Sequence, residues 1–74
     1  MGIKQKYVKV GVYDSIVIFP EIIQHKEFKN LNPSSAGFCY VTDKEVKCFG
    51  ESISLGITSD EEDSEIATQQ IFGL

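Results

Sequence analysis

The sequence predicts a small α+β protein, β-β-α-β-β-α in chain order, with an antiparallel sheet of about four strands and two helices. Three observations carry that prediction. Val8, Val10 and Val12 alternate with Lys9, Gly11 and Tyr13, the period-two pattern of a half-buried strand. Residues 39–48, CYVTDKEVKC, read as two short strands about a turn-forming centre. Ser59-Asp60-Glu61-Glu62 has the S-x-x-E spacing of a capping box, which opens a helix.

The first strand meets a tight turn at Asp14-Ser15, and Ile16 to Phe19 follows as a continuous apolar strand. A two-residue loop pairs Val12 with Val17 and Val10 with Phe19, leaving Tyr13, Ile16 and Ile18 on the opposite face. Strand two is then apolar on both faces, so a helix is expected to cover one and a second subunit the other. Pro20 stops the strand and suits the first turn of a helix, EIIQHKEFKNL, over residues 21–31. Its apolar residues fit the α-helical period poorly: Ile23, Phe28 and Leu31 share a broad face while Ile22 projects elsewhere. Asn30 to Gly37 reads as a loop by composition.

Phe38 to Val41 and Val46 to Phe49 form the next two strands. The absence of glycine at Asp43-Lys44 argues for a four-residue loop on a type I turn, which sets Cys39 opposite Cys48, Val41 opposite Val46 and Phe38 opposite Phe49. Beyond Cys48 the apolar parity changes from even positions to Ile53, Leu55 and Ile57, which requires a bulge or bend near Gly50-Glu51. The last helix should end near Phe72 with Gly73 as a left-handed stop. Its narrow apolar stripe of Ile66, Ala67, Ile71 and Phe72 suits a helix lying on the sheet surface.

At 74 residues the chain makes one domain, 1–74, and a chain of this size buries only about 60% of its unfolded surface. With 42% hydrophobic and 24% charged residues the composition is globular. The start, MGIKQKYVKV, has no apolar signal region, and the longest apolar run, Ile16 to Phe19, is too short to span a membrane. The expectation is a cytoplasmic protein with reduced thiols and no membrane partner. Cys39 and Cys48 are the only cysteines; facing one another they are within reach of a disulfide, yet a loop this short would contribute only about 2–3 kcal/mol. Two thiols and the single histidine cannot complete a zinc site within one chain, so neither metal nor cofactor is expected, and the pair reads as two small hydrophobes.

The net charge of −4 is uneven, +2 over residues 1–29 and −6 over residues 30–74, with no arginine. That balance argues against direct nucleic-acid binding, and stacking of bases on the aromatic residues would need a basic groove beside them. The run from Asp60 to Glu65 has two readings, an acidic decoy for a nucleic-acid-binding partner and, more simply, carboxylates complementing a helix dipole. His25 has Glu21 four residues before it; with Tyr13 the two make a candidate small-molecule or enzymatic pocket, against the plainer reading of a solvated surface histidine. The serines of PSSAG and GESISLG match neither a nucleophile elbow nor a phosphate loop, so catalysis is not expected.

A short acidic chain without a catalytic signature resembles, in type only, the orphan proteins carried on bacterial mobile elements such as integron gene cassettes or phages. That resemblance implies an accessory role and assigns no residue. The sequence thus points to a self-associating binding protein, a dimer or higher homo-oligomer or one that engages a protein partner, with Ile16, Ile18, Phe38 and Phe49 as its candidate interface.

Overall fold

The computed structural model describes residues 2–73. Strands β1 (Ile3–Val10), β2 (Ser15–Phe19), β3 (Ser35–Val41) and β4 (Val46–Phe49) form one antiparallel sheet in the order β2-β1-β3-β4. A 3-10 helix (His25–Leu31) links β2 to β3, a minimal hairpin of β5 (Glu51–Ser52) and β6 (Ile57–Thr58) follows β4, and α1 (Asp63–Phe72) closes the chain.

The β3–β4 hairpin has the predicted register, Phe38 with Phe49, Cys39 with Cys48 and Val41 with Val46. Thr42 makes it possible: its backbone N–H donates to the Glu45 carbonyl at 2.9 Å, and its hydroxyl accepts from the Lys44 and Glu45 N–H groups. The β1–β2 hairpin differs from the two-residue expectation. Gly11 (φ 79°) and Asp14 (φ 53°) both take left-handed backbone, which makes Gly11–Asp14 a four-residue turn. Val17 therefore pairs with Val8 and Phe19 with Lys6. The slip is an even number of residues, so each side chain keeps its expected face while Val12 and Tyr13 move out to the turn.

Two small cores result, one on each face. Tyr7, Ile16, Cys39, Val46 and Ala67 pack under α1, with Ile18, Val41, Cys48, Ile66 and Phe72 around them. Val8, Phe19 and Ala36 pack on the other face, beneath Phe28 of the 3-10 helix and Leu55 and Ile57 of the small hairpin. Both faces of β2 are thus covered within the chain, and no second subunit is needed for that purpose.

The helix expected over residues 21–31 is a 3-10 helix over His25–Leu31 only. At three residues per turn His25, Phe28 and Leu31 align, which the α-helical period could not achieve, and Asn32 (φ 51°) ends the helix ahead of Pro33. The expected loop 30–37 is shorter too, because β3 begins at Ser35. Gly50 (φ 81°) supplies the bend required by the parity change. The chain then turns back on itself at 53–56 instead of continuing as a strand, leaving Ile53 in solvent.

The helix α1 ends as expected at Gly73, which is left-handed. Its side chains also hydrogen-bond to both sheet edges. On β4 the outward N–H groups of Val46 and Cys48 donate to Thr68 Oγ1 (2.9 Å) and Ser64 Oγ (2.8 Å). On β2 the Gln70 amide accepts from the Ile16 N–H and donates to the Ile16 carbonyl, both at 2.7 Å. Edge groups satisfied in this way are unavailable for pairing with another strand.

A Cβ on Gly37 would overlap the Phe49 carbonyl oxygen, where β4 leaves the sheet across β3. Gly37→Ala is expected to lower the free energy of unfolding by about 1–3 kcal/mol in urea titration, the usual cost of overpacking.

Candidate functional site

The most polar part of the interior is built on β1, β3 and the start of α1. Tyr7 and Lys9 lie on the α1 side of β1, and Ser35 pairs with Lys9 at the start of β3. Asp63, the first residue of α1, enters this corner with no exposed surface; Tyr7 and Ser35 are equally sealed, and Lys9 is 2% exposed. Asp63 Oδ2 accepts from Tyr7 OH (2.5 Å), Ser35 Oγ (2.6 Å) and the Asp60 N–H (3.0 Å). Asp63 Oδ1 has no aligned hydrogen bond and takes the Lys9 ammonium as an ion pair at 2.8 Å. The same ammonium reaches Asp60 at 3.1 Å and Glu62 at 3.6 Å.

The helix therefore opens on an Asp60–Asp63 pair and not on the expected Ser59–Glu62 box. Both pairs have the same spacing in SDEED, and burial of Asp63 selects between them. Burial by itself would raise the Asp63 carboxyl. The donors from Lys9, Ser35, Tyr7 and Asp60 outweigh it and hold the group below the usual carboxylate range. Burial likewise works against the Lys9 ammonium, but the Asp63 and Asp60 carboxylates hold it above its ordinary value. A lysine kept protonated is no general base, and Ser35 donates to a carboxylate and not to a base. The cluster is an anchor for α1.

The candidate pocket of Tyr13, Glu21 and His25 is not assembled. Tyr13 sits on the β1–β2 turn, 90% exposed. Glu21 is exposed beside Lys4, 3.9 Å from its ammonium. His25, expected at the surface, is 5% exposed and stands edge-on to Phe19 (5.5 Å) and Phe38 (5.7 Å), with Nε2 donating to the Gly37 carbonyl at 2.8 Å. Phe19 and Phe38 flank Lys6, and the four steps from Lys6 to Val10 at the turn span about 13 Å of strand. Burial, more than the neighbouring Lys6, holds the imidazole below its ordinary value.

The candidate interface residues divide between the faces. Ile16 is buried and Ile18 half-buried beneath α1. Phe38 and Phe49 lie on the other face, where no described residue covers the sheet beyond the 3-10 helix and the small hairpin. Here the register sets two rows across the strands. Lys4, Tyr40 and Lys47 form one; Lys6, Phe38 and Phe49 form the next. Tyr40 stacks on Phe49 (centroids 5.4 Å, planes 16° apart), Phe49 stacks on Phe38 (6.1 Å), and the Lys4 ammonium lies 4.5 Å from the Phe38 ring centre. Tyr40 is 39% and Phe49 37% exposed. The even spacing of Phe38 and Tyr40 in one hairpin strand was legible in the sequence. Their alignment with Lys4 and Lys6 was not, because it depends on the β1–β3 pairing across thirty intervening residues.

Cys39 and Cys48 are free thiols side by side under α1, and burial pushes them up to about 11 and about 12. Among the described residues no cluster of three or more His, Cys, Asp or Glu could hold a metal ion, and no helix is long and apolar enough to cross a membrane. Comparison with protein-family models, with curated proteins and with solved structures gives no match to this chain.

Removing one partner of a buried ion pair costs about 3–5 kcal/mol, whereas replacing both by apolar groups is often neutral. Asp63→Ala should therefore lose most of the folded population, and the Lys9→Met, Asp63→Leu double variant should regain only part of it, as read by urea unfolding, because the buried Tyr7 and Ser35 hydroxyls still lack their acceptor. Because the His25 imidazole is held low, the unfolded chain takes up that proton first. Thermal midpoints should thus begin to fall as pH drops below about 6.5, and fall again below about 4 as Asp63 is protonated. His25→Gln should remove the first decline and leave the second.

Proposed function

We propose that this chain is a small non-catalytic binding module whose working surface is the open aromatic–lysine half of its sheet. The observation that carries the reading is the pair of cross-strand rows Lys4-Tyr40-Lys47 and Lys6-Phe38-Phe49, which among the described residues the 3-10 helix and the small hairpin cover only in part, leaving Tyr40 and Phe49 exposed. Exposed aromatic side chains gathered in one patch are an unfavourable use of surface for a chain with so small a core, and such patches mark interaction sites. Against catalysis stands the sealed Asp63 cluster, whose groups are all engaged with one another.

A second reading, self-association, is favoured by a different surface. Gly2, Ile3, Gln5, Ile18, Val41 and Ile71 line an apolar groove of about 520 Å³ at the C-terminal end of α1, with Ile3 and Ile71 exposed. Ile71→Glu would disperse an assembly formed there. Light scattering at micromolar concentration reads it directly, and a wild-type chain that is already monomeric rejects this second reading.

If Tyr40 and Phe49 serve binding and not folding, the Tyr40→Thr, Phe49→Thr double variant should keep its unfolding free energy to within about 1 kcal/mol, since cross-strand pairs of this kind are worth about 0.2–1 kcal/mol each. A loss of several kcal/mol would show that the two rings belong to the core and would reject the proposal.

A further inference from the structure

The negative charge of the chain is concentrated in one place. Asp60, Glu61, Glu62, Asp63 and Glu65, with Lys9 among them, carry the whole net charge of −4, and the remaining six lysines and six acids cancel. That acidic end runs into the first turn of α1 and gathers about Lys9 on the Tyr7 and Ile16 face, whereas Lys4, Lys6 and Lys47 share the opposite face with Phe38, Tyr40 and Phe49. The net charge therefore says little about this face.

Given the reading of the open face as the working surface, we propose that its ligand is single-stranded nucleic acid, with bases stacked on the Tyr40–Phe49 aromatic ladder and phosphates held by Lys4 and Lys47. The ladder supplies the first requirement of such a site. Phe38, Phe49 and Tyr40 already stack in series, and Tyr40 at its open end is among the more exposed of the three, so a flat base extends the stack without rearrangement. The lysines supply the second. Lys4 and Lys47 flank Tyr40 in register on neighbouring strands, one on each side. Each is held only loosely by an acid, Lys4 by Glu21 at 3.9 Å and Lys47 by Glu45 at 3.8 Å, and pairs this exposed are worth little. Phosphates can take over both ammonium groups at small cost. Without arginine the site has no bidentate fork for a base edge, so binding should be modest and tolerant of sequence.

A second copy of the chain is the less fitting occupant. A two-fold contact through this face would bring two copies of the Lys4, Lys6 and Lys47 set together, and like charges brought together across an interface oppose association.

The test is fluorescence anisotropy of a fluorescein-labelled oligodeoxythymidylate of about ten nucleotides, titrated with the whole chain at about 50 and 200 mM salt. With the two phosphates at Lys4 and Lys47 neutralised, affinity should fall about sevenfold between the two salt concentrations. Tyr40→Ala should weaken binding at least about fivefold, and Lys47→Gln should make the salt dependence shallower by the equivalent of one phosphate. Circular dichroism confirms that each variant is folded. Heparin, a polyanion without bases, is the control: binding that heparin abolishes and Tyr40→Ala leaves unchanged is charge attraction alone and overturns the proposal. No anisotropy change at low salt and about 100 μM protein also overturns it. In that event a dimer that Tyr40→Ala dissociates would leave the face as the working surface with a second copy as its occupant, and the absence of both would remove the binding-face reading as well.

Discussion

The buried ion pair between Asp63 and Lys9 is the constraint on which the rest of the structure depends. A chain of this size has little apolar area to hold a helix against a sheet, and α1 contributes only Ala67 fully, with Ile66 and Phe72 in part, to the core beneath it. The apolar stripe alone would leave the helix free to slide or rotate. Asp63 removes that freedom by joining α1 to β1 through Tyr7 and Lys9 and to β3 through Ser35. An unpaired charge in this corner would be far more costly than an apolar residue, so alternative placements of the helix are penalised more than the native one is favoured.

Once α1 is fixed at its first residue, its polar side chains reach both sheet edges. Ser64 and Thr68 occupy the outward groups of β4, and Gln70 occupies those of Ile16 in β2. One helix thereby covers one face and occupies backbone groups on both edges. The 3-10 helix and the β5–β6 hairpin cover only part of the other face, and what remains is the patch where Tyr40 and Phe49 meet solvent. The proposed binding surface is thus the part of the sheet that the described elements leave open.

What the sequence revealed follows the range of the interactions concerned. The β3–β4 register was legible because turn chemistry at Thr42–Glu45 and the parity of Cys39, Val41, Val46 and Cys48 are local. The break at Gly50 was legible for the same reason. The 3-10 helix was not legible because Ile23, Phe28 and Leu31 fall on one broad face at 3.6 residues per turn, whereas the period of three that shapes the helix joins Phe28 and Leu31 to a polar residue, His25. The first turn was only partly legible, because Asp14-Ser15 has turn chemistry of its own while the left-handed backbone that sets the register begins at Gly11. The Asp63 cluster draws on residues 7, 9, 35 and 63, and no local pattern joins them. Its only trace in the sequence is the second acid pair at spacing three, Asp60 and Asp63, hidden inside what looked like a surface charge run.

The claim that Asp63 holds α1 in place, and through it both edges of the sheet, is tested most directly by backbone hydrogen exchange. The amides of Ile16, Val46 and Cys48 donate to side chains of α1, so each reports the docking of the helix from the sheet side. In Asp63→Asn, under conditions where the sheet stays folded, all three should lose protection together while amides paired between β1 and β3 keep theirs. Protection at Ile16, Val46 and Cys48 unchanged from the parent chain would contradict the account.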